Sequence, residues 1–214
     1  MINGDHLNSY LQSFISERSP FFQEMERYAK ENCVPIMDPY SMETVLQLLR
    51  LYKPKNMLEI GTAIGYSALR FAEAVPNIKI LTIERDNNRA KLAHTNIQQA
   101  NRLGQITMLE GDAFDLVLEV AKYAPFDCLF IDAAKGQYQR FFQTFEPYLA
   151  EQALIITDNV LFKGYVYSDN ENNNRLKKLG KKIHHYNEWL IQNPSYQTVI
   201  LPVGDGIAIS IKQK

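Results

Sequence analysis

Met57-Leu58-Glu59-Ile60-Gly61-Thr62-Ala63-Ile64-Gly65-Tyr66-Ser67 is an apolar segment that ends in an acid and passes through two glycines into an amphipathic stretch. This order predicts a buried strand, a tight turn and a helix. The pattern then repeats, and we predict strands at 56–60, 79–84, 106–110, 126–131 and 153–157. Helices are predicted between them, near 67–74, 87–100, 113–121 and 138–148. Such alternation indicates an α/β protein with a parallel sheet and helices on both faces.

The two ends of the chain depart from this alternation. Three helices are predicted to come first, at 5–16, 20–32 and 41–51. Near the other end, strands at 198–202 and 206–211 are joined by a connection too short for a parallel crossover. We therefore predict one domain over 1–214, with an N-terminal helical extension (1–52) and a core (53–214). The core holds a seven-stranded mixed sheet whose last strand is antiparallel, and the polar run 170–174 is a candidate mobile loop.

Bulk composition narrows the class of protein. The chain has 214 residues, 46% of them hydrophobic and 22% charged, which is ordinary for a globular domain. The net charge of -1 argues against a globally basic nucleic-acid binder but leaves room for a local basic face. Only Cys33 and Cys128 are cysteines, so no disulfide is expected. Without a leader-like N-terminus or an apolar stretch of spanning length, we expect a cytoplasmic protein with no membrane contact.

Polar side chains follow four of the predicted strands. Glu59, Glu84, Asp132 and the pair Asp158-Asn159 each stand where a strand ends. Ligands of open α/β sheets bind outside the carboxyl ends of the strands. The sequence therefore predicts a polar site along this edge of the sheet.

One part of this edge is typical of adenosine binding. The turn reads G-x-x-x-G, not the G-x-G-x-x-G of nicotinamide enzymes, although a glycine pair alone fits a plain tight turn equally well. Glu84 is placed to bond ribose hydroxyls. Asp112 and Ala113 are placed to hold adenine, although Asp112 fits equally well as the N-cap of a helix beginning near Ala113. Together these features indicate an adenosine ligand without a phosphate cradle, as S-adenosylmethionine requires.

The other part of the edge is typical of a hard metal ion. Asp132, Asp158 and Asn159 offer only oxygen donors, which suit Mg²⁺ or another divalent cation. Taken singly, these residues are equally typical of turns and helix caps. Lys135 follows Asp132 by three residues, and a neighbouring metal ion and sulfonium would disfavour its ammonium form. That would make Lys135 a general base, whereas most lysines in loops are merely exposed.

These segments together resemble the metal-dependent O-methyltransferases, the class I family of catechol and caffeoyl-CoA methyltransferases. The resemblance spans roughly 34–211 and is carried by 59–62, 83–84, 111–113, Asp132-x-x-Lys135, Asp158-Asn159 and 202–206. It implies a Rossmann-like class I fold, S-adenosylmethionine as cofactor and a divalent metal. Asp132, Asp158 and Asn159 would bind the metal, and Lys135 with Asp132 would be catalytic. The implied cofactor-binding residues are Met37, Glu59, Gly61, Tyr66, Ser67, Glu84, Asp112, Ala113 and Asp132.

The acceptor is predicted from two further features. Ala133-Ala134 replaces bulky residues of the catechol branch, so we expect a more open acceptor pocket. A basic run is usually a solvated helix face, but here it follows the metal-site edge and suits contacts with RNA phosphates. Its members are Arg175, Lys177, Lys178, Lys181 and Lys182.

The chain most resembles a bacterial branch that methylates 5-hydroxyuridine at the tRNA wobble position, where the 5-hydroxyl and O4 form a catechol-like pair. tRNA is therefore the predicted partner. The alternatives are a methyltransferase for small catechols or caffeoyl-CoA-like phenolics, and a non-catalytic adenosine- or RNA-binding module. The resemblance also implies a homodimer.

Overall fold

The computed structural model describes residues 4–168 and 173–213, and its centre is a mixed β-sheet. The strands are β1 Asn56–Ile60, β2 Lys79–Glu84, β3 Ile106–Glu110, β4 Phe126–Ile131, β5 Leu149–Thr157, β6 Tyr196–Leu201 and β7 Ile207–Lys212. They form a seven-stranded sheet in the order β3-β2-β1-β4-β5-β7-β6. β7 runs antiparallel to both of its neighbours, and the pairs among β1 to β5 are parallel. The predicted seven-stranded mixed sheet is confirmed.

Eight α-helices surround this sheet in the described parts of the chain. They are α1 Gly4–Gln12, α2 Pro20–Glu31, α3 Pro39–Tyr52, α4 Tyr66–Ala74, α5 Asn87–Gln99, α6 Val117–Ala121, α7 Tyr138–Phe145 and α8 Asn174–Gln192. Side-chain caps fix where three of them begin. Asp38, Asp86 and Asn173 each accept two backbone N–H groups from the first turn of α3, α5 and α8. None of the helices within these residues combines the length and apolar character needed to cross a bilayer.

Several element boundaries differ from the prediction. β5 begins at Leu149 and α1 already ends at Gln12. The helix predicted from 113 begins only at Val117, so the helix-cap interpretation of Asp112 was wrong. Asp112 instead caps a turn, because its Oδ1 accepts the N–H of Phe114 at 2.9 Å. Of the predicted mobile loop, 170–172 lies outside the described residues, Asn173 is the N-cap of α8 and Asn174 is its first residue.

Apolar side chains fill both faces of the sheet. On one face, side chains of α2, α3 and α4 form a single cluster with β1 and β4, in which the rings of Phe71 and Phe130 lie 5.0 Å apart. On the other face, α7 and α8 pack through Phe142, Phe145 and Ile183. The helical extension therefore shares its hydrophobic cluster with the sheet that positions the site.

Candidate active site

Strand register brings the predicted polar residues to one edge of the sheet. Ile60 pairs with both Ile83 and Ile131, and Ile131 pairs with Thr157. The ladder continues past the strand ends, because the N–H of Asp132 bonds the carbonyl of Ile60 at 3.0 Å. The residues that follow β1, β4 and β5 are therefore neighbours.

A cavity of about 310 Å³ lies over this edge. Its wall includes residues that were predicted to bind adenosine and residues that were predicted to bind a metal ion. The predicted site residues that line it are Gly61, Glu84, Asp112, Ala113, Asp132, Lys135 and Asn159. One cavity therefore joins the two halves that the sequence analysis treated separately.

Glu84 is held in place by backbone amides on both sides. Its Oε2 accepts the N–H of Ala63 and its Oε1 accepts the N–H of Asp86, both at 2.8 Å. Each carboxylate oxygen has further acceptor capacity. The side chain is thus preorganised to accept hydroxyl groups of a ribose in the cavity.

Glu59 and Ser67, two predicted cofactor residues, lie behind the turn and do not line the cavity. Ser67 Oγ donates to Glu59 Oε1 at 2.5 Å, and the Thr82 hydroxyl donates to the other carboxylate oxygen. Thr82 in turn bonds Thr62 at 2.6 Å. Complete burial raises the pKa of Glu59 to about 7. This hydrogen-bonded chain braces the glycine turn against β2.

Tyr66 and Met37, also predicted to contact the cofactor, are not among the residues that line the cavity, and their part in cofactor binding stays a prediction. Tyr66 donates its hydroxyl to Glu26 Oε1 at 2.5 Å, and Arg18 bonds the same carboxylate at 2.7 and 2.8 Å. Met37 is buried in the apolar cluster beneath α3. Tyr66 is the first residue of α4, and there its ring packs edge-on against Phe22 of α2, with centroids 5.9 Å apart.

Gly61 is required by the junction of two strands. A Cβ on this residue would lie 2.0 Å from the carbonyl oxygen of Asp132, and its φ is +105°. This oxygen belongs to the residue that follows β4. Because glycine has no side chain, the chain after β4 can lie close to the end of β1.

Asp132, which is half-buried and lines the cavity, forms an acidic pair with the buried Asp158. Burial raises the pKa of both carboxyls, and the charge of Asp132 raises that of Asp158 further. Asp158 accepts the backbone N–H of Asn159 at 2.8 Å and its side-chain NH₂ at 3.1 Å. Two carboxylates and an amide oxygen fit a hard divalent cation, which would offset the repulsion between the carboxylates.

Lys135 connects this acidic pair to the open part of the site. It begins a 3₁₀ turn, Lys135–Gln137, and its Nζ donates to Asn159 Oδ1. No group of three or more His, Cys, Asp or Glu side chains forms a separate metal site among the described residues. A cation at this edge would therefore take its third protein oxygen from Asn159, next to Lys135.

The sequence analysis missed an aromatic wall of the cavity. Phe114 stacks on Phe141, with centroids 4.7 Å apart and planes within 4°. The guanidinium of Arg140 covers the Phe114 ring at 3.7 Å. The signal for Phe114 was its position directly after Ala113, whereas Phe141 was hidden in the apolar face of α7. Pro35 and Ile36 also line the cavity from the segment before α3.

Comparison with known proteins identifies the family. The sequence profile of the family described as O-methyltransferase matches residues 12–213. The chain belongs to this O-methyltransferase family. A catechol O-methyltransferase of Niastella koreensis is 34% identical over 175 residues, which cover 78% of this chain and 77% of that protein.

Solved structures agree with this family. A Staphylococcus aureus protein, assigned provisionally to the caffeoyl-CoA O-methyltransferases, superposes with a TM-score of 0.88 at 37% identity over 100% of both chains. An O-methyltransferase of Bacillus cereus in complex with SAH shares the fold, with a TM-score of 0.83 and 23% identity over 97% of each chain. The methyltransferase fold and the enzyme class, an S-adenosylmethionine-dependent O-methyltransferase, are thereby confirmed.

The basic run of this O-methyltransferase is divided between two sides of α8. Lys182 and His185 line a groove beside Lys135. At about 100° per residue, Arg175 and Lys178 fall on the same side as these two. Lys177 falls on the other side, together with His184, which pairs with Glu188 at 3.4 Å. Lys181 lies between the two sides, about 40° from His185. Of the predicted basic rim, Lys182 lines the groove, and Lys177 and Lys181 do not.

Proposed function

We propose that this enzyme requires a divalent cation such as Mg²⁺ and methylates a hydroxyl group that has a second oxygen beside it. The proposed acceptor is 5-hydroxyuridine at the wobble position of tRNA. The observation that supports this chemistry is that one cavity joins Asp132, Asn159 and Lys135 to the adenosine side, with Asp158 hydrogen-bonded to Asn159 beside it.

Each part of the site has a role in the proposed reaction. When bound, the metal ion supplies a Lewis acid that lowers the pKa of the acceptor hydroxyl. Lys135 Nζ takes the hydroxyl proton, and the acceptor oxygen attacks the methyl carbon of the sulfonium. The carbon–sulfur bond breaks, and the electron pair stays on sulfur as a neutral thioether. Because one cavity holds donor and acceptor together, much of the acceleration comes from their orientation.

The acceptor side supports a large, anionic substrate. Ala133 and Ala134 line the cavity with small side chains, so they leave space beside Lys135. Lys182 reaches the same region, because a Cβ placed on Gly136 would lie 3.8 Å from its Nζ. Positive groups beside an open pocket are suited to position the backbone of an RNA whose base enters the site.

A second candidate acceptor is a small catechol or a caffeoyl-type phenolic ester. The similarity to catechol O-methyltransferase favours it. The same pair of adjacent oxygens would meet the same residues, so the site chemistry is shared. The two candidates differ only in what occupies the region outside the cavity.

Acceptor competition tests the proposal. We expect labelled methyl transfer to tRNA carrying 5-hydroxyuridine to exceed transfer to catechol or caffeoyl esters by at least about tenfold in kcat/KM, a difference of 1.4 kcal/mol. Transfer to the small phenolics alone would establish the second candidate. Binding of the methyl donor without turnover on any acceptor would instead indicate a non-catalytic binding module. The tRNA of cells with and without the gene should differ correspondingly in 5-methoxyuridine.

A further inference from the structure

A second cavity of about 410 Å³ adjoins the first and lies between α7 and α8. We call it the α7–α8 groove. It shares Lys135 and Gln137 with the first cavity, so a molecule that fills the first can extend into the second. Its walls are polar side chains of both helices, including Gln139 and Gln143.

The charge of the α7–α8 groove is of one sign. Lys135, Arg140, Lys182 and His185 line it, and no carboxylate does. In the described part of the chain, Arg140, Lys182 and His185 form no ion pair with an acid. This is a local concentration of basic groups in a chain of net charge -1.

One of these basic groups is held in position, and a second has space to reach the groove. The guanidinium of Arg140 stacks on Phe114, which itself stacks on Phe141. Lys182 extends over Gly136, where the missing side chain leaves it space next to Lys135. A stacked guanidinium is preorganised, so less entropy is lost when it binds an oxyanion.

We propose that the α7–α8 groove binds a phosphate group of the acceptor while the hydroxyl-bearing ring occupies the first cavity. This inference rests on the proposed function and adds the subsite that distinguishes a nucleotide from a plain catechol. Guanidinium and ammonium donors form charge-assisted hydrogen bonds with phosphate oxygens. The phosphate is that of the RNA backbone beside the methylated nucleoside, and a CoA ester would present the same chemistry.

A matched pair of variants tests the groove. Lys182→Gln removes a charge inside it, and Lys181→Gln removes the same charge one residue away, at a position that does not line the groove. The measurement is the ratio of kcat/KM for 5-hydroxyuridine 3′-monophosphate to that for 5-hydroxyuridine. We expect wild type and Lys181→Gln to share a ratio of about tenfold or more, and Lys182→Gln to lose most of it. Equal ratios in all three proteins would overturn the inference.

A binding experiment separates failure of the groove from failure of the acceptor proposal. Inorganic pyrophosphate is titrated into each protein by calorimetry, with no turnover needed. We expect Lys182→Gln to weaken pyrophosphate binding at least about tenfold more than Lys181→Gln does. That result supports the groove even if no RNA is methylated. Absence of binding to wild type overturns the groove even if tRNA is methylated. Lys182-dependent methylation of caffeoyl-CoA, with none of RNA, would assign the phosphate to the thioester.

Discussion

Asp132 and Asp158 are neighbouring acids, the first half-buried and the second buried, which is an unfavourable arrangement for a protein without a cation between them. The pKa of each carboxyl is raised chiefly by burial. Such residues destabilise a fold and persist where the surrounding structure holds them in place for a function. The electrostatic cost of placing these two acids together is therefore an argument for a metal site, in addition to the argument from residue type.

The acidic pair predicts opposite effects on stability and activity. Asp158→Asn removes one of two repelling charges, so the metal-free protein should unfold at a higher temperature. Methyl transfer should fall at least about 100-fold, the upper end for losses around metal ligands. Thermal unfolding in chelator and labelled methyl transfer in Mg²⁺ measure the two effects. Asp115→Asn, at an exposed carboxylate, should change neither. Retained transfer by Asp158→Asn would contradict the metal site.

The raised pKa of Glu59 predicts that the stability of the fold depends on pH. Its pKa is about 7 in the fold against 4.5 ordinarily, because burial disfavours the charged form. The raised pKa stabilises the fold, and this contribution is complete below pH 4.5. It is lost as pH rises through 7, which lowers the free energy of unfolding by roughly 3 kcal/mol. Glu59→Gln mimics the protonated form, so its urea unfolding free energy should decline less between pH 5 and pH 7.5. Identical pH slopes for the two proteins would show that Glu59 is charged throughout.

At the scale of residues, the sequence predicted which types of side chain lie at the site better than it predicted where each side chain points. Glu84, Asp132 and Asn159 reach the cavity because a residue that follows a parallel strand has little choice of edge. Tyr66 begins a helix, where a side chain can turn either to the ligand or back to the preceding helix. Only the packing of Phe22 and Glu26 decides that direction, and neither residue is near Tyr66 in sequence.

At the scale of elements, the contact between β1 and β4 depends on Gly61. Gly61→Ala would force a methyl group onto the carbonyl of Asp132 at positive φ. We expect a loss of roughly 3 kcal/mol in the free energy of unfolding. Gly104→Ala is the matched control, because its Cβ would meet no atom within 4 Å. Its unfolding free energy should stay within about 0.5 kcal/mol of wild type. Equal stability of the two variants would refute the close approach.

The attachment of α2 to α4 gives a second prediction at this scale. Tyr66→Phe removes a hydrogen bond to the Glu26 carboxylate, which should cost about 1.5 kcal/mol of unfolding free energy. The KM for S-adenosylmethionine should not change, because the Tyr66 side chain lies outside the cavity. Urea unfolding and steady-state kinetics measure the two quantities. A raised KM with unchanged stability would restore Tyr66 to the cofactor site.

β1 to β5 were predictable because each is a short apolar run that ends at or just before an acid or a glycine. The start of α6 was not, because an aspartate that caps a turn and one that caps a helix look alike in sequence. The division of the basic run on α8 follows from helical periodicity. Which side faces the site could not be deduced without the position of Gly136.

At the scale of the molecule, the helical extension belongs to the site as well as to the fold. The segment that joins α2 to α3 brings Pro35 and Ile36 to the cavity wall. Family resemblance indicated this placement through Met37, which follows Ile36 in sequence and is buried in the apolar cluster. The predicted homodimer stays a prediction.

The most direct test measures transfer of labelled methyl groups to tRNA carrying 5-hydroxyuridine by metal-depleted enzyme. The account predicts negligible transfer in excess EDTA and a rise of at least about 100-fold when Mg²⁺ is restored, since the cation activates the hydroxyl. Transfer at the same rate with and without chelator would contradict it.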